Sequence, residues 1–399
     1  MKAADRARAR NGVVRLFSLA LAASVTTVAI CACSQAPKKS KNVARTKATK
    51  TRIARKMTAP SRPSANVAQP NGSAAAGASQ TNSAAVATSP AREPASFTPA
   101  PAFTPRGFDY EAALTDIAFG SGANQNQPEP LWAAIASSHP NLFVFLGDTV
   151  KLEDRSIAEQ YSKLNVVPEY RSLRETVPFL AVWNTQDYKV DTGQRDFLQQ
   201  WSYLRDAVAQ GQTGIYHAKI IGPKKKQVQF IVLDTRSFRG PRLADDKPNA
   251  PVLGEAQWQW LKDQLRKPAD VRFIVSSIPL IPARKDGESW NNYPVERQKL
   301  FDMIKELKPR NLAVLSGGAR QGSIAHTGLK GWGQLYDITT GPMNDAGDVA
   351  PEPDERMEGP TTTKENFGMA QIDWSNRLLV LKLLDPSRAI LNSVSMRIR

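Results

Sequence analysis

Residues 178–189 read PFLAVWNTQDYK. Six residues without a charge, Pro178 to Trp183, stop abruptly at Asn184-Thr185-Gln186-Asp187. A short apolar run ending in a polar cluster is the pattern of a buried strand whose carboxyl end opens on a loop. Open α/β sheets place their binding sites at such ends. The side chains delivered here are mostly amides and a hydroxyl, which are poor acids, poor bases and weak ligands. The position is that of an active site, but the chemistry is not.

Outward from this strand, apolar runs alternate with amphipathic helical patterns. Residues 116–121 (DIAFGS) and 141–147 (NLFVFLG) read as buried strands around a helix at 130–138, and helical patterns at 157–164 and 168–174 lead into the strand at 178–183. Residues 216–221 and 227–234 form a hairpin around GPKKK, whose Lys224, Lys225 and Lys226 read as a solvated turn. A helix at 254–265, with Trp258 and Leu261 toward the core, precedes strands at 271–277 and 311–316 that flank a helix at 295–307. Strands follow at 335–339, 369–374 with 378–384, and 390–398. Strand–helix alternation followed by antiparallel strands predicts one α/β domain over 108–399 with a mixed sheet or a pair of sheets.

The first quarter of the chain does not belong to that core. MKAADRARARNG precedes an apolar stretch, VVRLFSLALAASVTTVAICAC, broken only by Arg15. A basic start, an apolar middle and small residues at the end describe an export signal over residues 1–33, with an uncleaved membrane anchor as the rival reading. Ile30-Cys31-Ala32-Cys33 resembles a bacterial lipobox, which makes Cys33 the expected lipidated residue and the membrane the expected partner. Ser34 follows without an Asp, so the expected location is the outer membrane, facing the periplasm. Residues 34–107 are a basic, then Ala/Ser/Pro-rich linker that buries too little apolar surface to order itself. Of the net +16, residues 1–37 carry +4, residues 38–62 carry +10 and residues 63–107 carry +1, which leaves +1 for residues 108–399. The basic character is that of the tail, so no nucleic-acid partner is expected for the domain.

Nine stretches, in order and at consistent intervals, carry a resemblance: IAFGSGANQ (117–125), PNLFVFLGDT (140–149), YRSLRETVPFLAVWNTQDY (170–188), VQFIVLDTRSFR (228–239), LGEAQWQWLKDQL (253–265), WNNYPVERQKLFDMI (290–304), LAVLSGGAR (312–320), LYDITTGP (335–342) and ENFGMAQIDW (365–374). Over residues 114–375 the chain resembles the alkaline phosphatase D family of metallophosphatases. The resemblance implies a metallophosphatase-like sandwich of two mixed β-sheets flanked by helices, with a metal site at the strand ends. Compared with the family pattern, the ligand positions are largely stripped. Gly122 stands for Cys, Asn184, Thr185 and Gln186 stand for two carboxylates and an imidazole, and Gly318 and Arg320 stand for Asp and His. Asp148 and Asp187 remain, while the Asn usually following Asp148 is Thr149. Framework stretches such as LDTR and NNYPVERQ persist, so the changes are concentrated on the site.

These substitutions predict a degenerate pocket at Gly122, Asp148, Asn184, Thr185, Gln186, Asp187, Gly318 and Arg320, with no catalytic residue, no metal and no cofactor. A guanidinium at 320 could pair with Asp148, plug the vacated space, or hold a phosphate or sulfate bidentately. The leading reading is therefore an exported, lipid-anchored, inactive phosphatase-like protein that binds an anionic ligand or a protein partner in the cell envelope. The alternative is a working phosphoester hydrolase with a rearranged site, holding one divalent cation such as Ca or Fe near Asp148, bound by Asp148 and Asp187 with Asp191 or His326 as a further ligand. A third reading makes the basic tail the active part. Of the three histidines, His139 reads as a helix-end residue and His217 as a packed sheet residue, and only His326 could reach the old site. Motifs for other metal sites, for a nucleotide P-loop and for a serine nucleophile elbow are absent.

Overall fold

The computed structural model describes residues 103–153, 155–190, 193–241, 249–282, 287–346 and 354–399. The export signal, Cys33, the linker up to residue 102 and Asp191 lie outside the described residues.

Twelve strands form two six-stranded sheets. The first contains β1 (Asp116–Gly120), β2 (Leu142–Leu146), β3 (Phe179–Val182), β10 (Phe367–Asp373), β11 (Leu378–Leu384) and β12 (Ile390–Arg397), in the order β12-β11-β10-β1-β2-β3. Strands β1, β2 and β3 are parallel, and β10 joins β1 antiparallel, with Ile117 opposite Ala370. The second contains β4 (His217–Ile221), β5 (Val228–Val232), β6 (Val271–Ser276), β7 (Leu312–Ser316), β8 (Ser323–Leu329) and β9 (Gly333–Thr339), in the order β4-β5-β6-β7-β9-β8. Here β5, β6, β7 and β9 are parallel between the antiparallel edges β4 and β8. Both sheets are mixed, and the expected sandwich is the observed one.

The period of two along each strand divides the core. Phe230, Val232, Phe273, Val275, Ala313 and Leu315 face the first sheet and join its Ile117, Val144 and Leu180 in one cluster. Their neighbours Ile231, Ile274 and Val314 point the other way, to Trp258, Leu261, Leu300 and Ile304 of α6 (Glu255–Arg266) and α7 (Pro294–Leu307). Glu296 fastens those two helices, accepting the Trp258 indole N–H at 3.0 Å and the backbone N–H groups of Val252 and Leu253 at 3.0 and 3.1 Å. On the outer side of the first sheet lie α1 (Leu131–Ala136), α2 (Ile157–Asn165) and α3 (Pro168–Thr176), where Trp132, Phe143, Phe145 and Tyr170 pack edge to face. Ser156 caps α2 by accepting from the Glu159 N–H.

Three elements were not evident from periodicity. Helices α4 (Gly193–Gln200) and α5 (Leu204–Ala207) are short, and β8 alternates imperfectly because its second half is only partly buried.

Candidate functional site

The carboxyl ends of β1, β2, β3, β6 and β7 converge, and the loops leaving them enclose a cavity of about 200 Å³. The chain turns sharply at each exit. Gly147 has φ +92°, and a Cβ there would lie 2.7 Å from the Asn184 Cβ, so β2 and β3 approach only because the residue has no side chain. Asp148 follows at φ +52°, an uncommon conformation for a residue with a Cβ. Across the sandwich, the Gly318 N–H donates to Ser121 Oγ at 3.0 Å and ties the β7 loop to the β1 loop.

Gly122, Asp148, Asn184, Thr185, Gln186, Gly318 and Arg320 all line this cavity, together with Ser121, Glu288, Ala319, Pro342 and Asp345. Asp187 lies beneath it, fully buried, accepting from Thr149 N at 2.8 Å, Thr149 Oγ1 at 2.5 Å and Asn184 N at 2.7 Å. Its carboxylate shapes the loop. Asp148 accepts from Asn184 Nδ2 and from the Gln186 backbone N–H, each at 2.9 Å. Burial, and then the nearby Asp187, push the Asp148 carboxyl up to about 7. The amide oxygens of Asn184 and Gln186 are buried without a donor.

Arg320 does not pair with Asp148 and does not plug the space. Its guanidinium is about half exposed at the rim and meets Asp345 at 3.2 Å. Lys151 holds the same carboxylate at 2.6 Å. Burial alone would raise the Asp345 carboxyl, but Lys151 and Arg320 outweigh it and hold the group below its ordinary range. Behind the wall, the buried Arg239 guanidinium meets Glu288 at 3.1 Å and donates to Thr185 Oγ1 at 3.1 Å, while Thr185 donates to Glu288 at 2.9 Å. Sequence reading did not single out Lys151, Glu288 or Asp345, which sit in loops without periodicity. Arg239 closes the VLDTRSFR stretch, but its partner is 49 residues away.

His326 does not reach the cavity. It stands on edge strand β8, against the Tyr336 ring and 3.6 Å from Glu358. His139 is exposed at the end of α1. His217 is buried, with Nδ1 2.8 Å from the Ile215 carbonyl, and burial lowers its imidazole to about 4.

The donor set does not fit a divalent cation. Such an ion needs several converging carboxylates or imidazoles free to coordinate. Of the three carboxylates on the cavity wall, Asp345 is engaged by two cations, Glu288 by Arg239, and Asp148 by the Asn184 amide. Among the described residues no group of three or more His, Cys, Asp and Glu is placed to hold a metal ion. Gly318 adds a steric point. It has φ +69°, and a Cβ there would lie 2.3 Å from the Ser277 carbonyl and 2.7 Å from Asn184 Nδ2, so an Asp cannot be restored without moving backbone.

Comparison with known proteins places the chain among phosphatase-like folds. Residues 197–328 match the family model of PhoD-like phosphatases, a segment that begins after the altered positions at 122 and 184–186. Alkaline phosphatase D of Bacillus subtilis (strain 168) is 29% identical over 111 residues, a match covering 22% of this chain and 18% of that protein. The chain therefore spans less than a fifth of the length of the curated relative it matches. A solved structure of PhoD superposes with a TM-score of 0.56 at 13% identity, covering 74% of this chain and 72% of that one. GAP50, described as the anchor in the inner membrane complex of Plasmodium, gives 0.52 at 14% identity over 72% of this chain and 90% of its own. Purple acid phosphatase PPD1 from yellow lupin seeds gives 0.51 at 9% identity over 73% and 55%.

Proposed function

We propose that this relative of the PhoD-like phosphatases is an exported, lipid-anchored protein that has exchanged metal-dependent hydrolysis for binding, and that it serves as a binding or scaffold module in the cell envelope. The single observation that carries this reading is that every carboxylate on the cavity wall is already engaged by a protein group. Asp345 answers Lys151 and Arg320, Glu288 answers Arg239, and Asp148 accepts from the Asn184 amide, where a metallophosphatase needs carboxylates directed at a cation. Metal-dependent hydrolysis requires a metal-bound water of lowered pKa, and the donors that would create one are spoken for. A role other than hydrolysis has company among similar folds, since one structural neighbour is described as an anchor and another as a purple acid phosphatase. The apolar stretch ending at Cys33 and the +10 segment at 38–62 support attachment at a membrane.

What the residues do without a metal is bind and orient. The 200 Å³ cavity offers the Arg320 guanidinium at its rim and the amides of Asn184 and Gln186 on its wall, groups that can hold a small polar or anionic group on a larger partner. The test is elemental analysis of the purified full chain, alongside phosphomonoester and phosphodiester assays with Ca, Fe, Mn and Zn added in turn. The expected results are substoichiometric metal and turnover at background. One equivalent of bound metal with turnover abolished by Asp148→Asn would overturn the proposal.

A further inference from the structure

The pole of the sandwich opposite the cavity is where the domain concentrates its unpaired positive charge. The amino ends of β5, β6 and β7 are preceded by three loops, at 222–227, 267–270 and 308–311. They carry Lys224, Lys225, Lys226, Lys267, Lys308 and Arg310, all exposed and none in an ion pair among the described residues. The end of β12 adds exposed Arg397 and Arg399 beside them. Since residues 108–399 net only +1, this pole is balanced by acids elsewhere. Acids lie close as well, among them exposed Asp109 and Glu111, which flank Tyr110, whose carbonyl accepts from the Gly222 N–H at 2.9 Å. Asp270 is used by the Gln227 N–H at 2.9 Å, while Asp263 and Glu306 pair with Arg266 and Lys262.

The loops are built as one surface. Buried Arg272 donates to the carbonyls of Lys267 at 2.7 Å, Ala269 at 2.9 Å and Arg310 at 3.0 Å. Asn311 donates to the Asp270 carbonyl at 2.7 Å and accepts from Arg399 N at 2.9 Å, and the Trp332 indole donates to the Pro309 carbonyl at 2.8 Å. A buried guanidinium spent on loop carbonyls fixes the loop backbones and leaves their cationic side chains outward. Two concavities adjoin at Lys308-Pro309-Arg310. One, of about 590 Å³, adds Trp332, Tyr336, Arg397 and Arg399; the other, of about 660 Å³, adds Lys224, Lys225 and Arg266.

The geometry points to this basic pole as a docking face for a bilayer rich in anionic phospholipid headgroups, with the 200 Å³ cavity held away from the surface. Long lysines on a fixed platform suit laterally mobile phosphates better than one fixed ligand, and the half-buried Trp332 and Tyr336 provide amphipathic rings of the kind that settle at headgroup level. The cavity then faces away by the length of the strands, ~17 Å or more at ~3.3 Å per residue for β6. This goes beyond the binding role proposed above and does not depend on the cavity being inactive.

The test is lysine acetylation footprinting, by mass spectrometry, of the full chain mixed with phosphatidylglycerol/phosphatidylcholine vesicles. The expected result is at least fivefold protection of Lys224, Lys225, Lys226, Lys267 and Lys308. Lys189 and Lys364, exposed near the cavity, should stay reactive, and vesicles of phosphatidylcholine alone should protect nothing. The double variant Lys267→Glu with Arg310→Glu should lose that protection with an unchanged melting temperature, because Arg272 uses only their backbone carbonyls. Each basic residue at an anionic bilayer is worth about fivefold in partitioning, so two reversals should lower the domain's own contribution on the order of a hundredfold or more, with the effect fading in high salt. Uniform reactivity of all these lysines on vesicles would overturn the proposal by assigning membrane contact to the tail alone. Protection by soluble polyphosphate or single-stranded DNA, with none from vesicles, would overturn it in favour of a polymer ligand.

Discussion

Replacing Asp148 by Asn is the sharpest probe of the cavity. Burial and Asp187 push the Asp148 carboxyl from its ordinary 3.8 up to about 7. A carboxyl raised in the folded state contributes stability that is complete below pH ~3.8 and lost as pH rises through about 7. Integrating that difference between pH 5 and pH 9 gives a loss on the order of 3 kcal/mol in the wild type. The substituted amide does not titrate, and removing one charge also eases Asp187. That amide would remain satisfied: its oxygen can accept from the Gln186 N–H, and Asn184, whose own oxygen accepts nothing in the wild type, can turn to take the new N–H. The measurement is the melting temperature of both proteins from pH 5 to pH 9. The variant should gain on the wild type as pH rises, by roughly 6 °C across the range if each kcal/mol shifts the midpoint by about 2 °C. Parallel profiles would refute the reasoning. So would a saturable stabilisation of the wild type, but not of the variant, by a divalent cation, because it would make Asp148 a ligand.

Other outcomes follow from single contacts. Gly318→Asp, which restores one carboxylate of the family pattern, should destabilise by ~2–4 kcal/mol in urea denaturation, since its Cβ would meet the Ser277 carbonyl at a positive φ. Glu296→Ala should cost ~3 kcal/mol by leaving the Val252 and Leu253 N–H groups and the Trp258 indole without their acceptor, whereas Glu296→Gln should cost less. His217 is buried and lowered from 6.5 to about 4, so it favours the fold above pH 6.5 and loses that contribution as pH falls through 4. His217→Gln should therefore move the acid-unfolding midpoint downward, followed by far-ultraviolet circular dichroism. Adding EDTA should leave the melting temperature of the wild type within about 1 °C, because ligand-linked stabilisation needs a bound ligand to remove.

The sheets were legible because their signal is local. In β5 to β7 the two faces both need apolar residues, and runs such as QFIVL and RFIVSS are built around them. Helix α6 announced itself by Trp258, Leu261 and Leu265 on one face. The altered positions were legible for a different reason, since a family resemblance fixes where ligands should stand. Their partners were not. Arg320 finds Asp345 across 25 residues of chain, and Lys151 arrives at the same carboxylate from 194 residues away. No periodicity or spacing encodes such a meeting, which exists only once the two sheets have stacked. The Arg272 clamp was hidden likewise, because a lone Arg in a strand start reads as surface until three carbonyls surround it.

The backbone at Gly318 limits what substitution can do at this corner. With the Ser277 carbonyl occupying the space a side chain there would need, replacing the glycine alone leaves no room for a carboxylate until the neighbouring loop moves. Any side chain there would cost stability first, so a change of chemistry at this corner has to begin in the Ser277 loop. Variation at this corner is thereby channelled away from the glycine and toward the side chains around it.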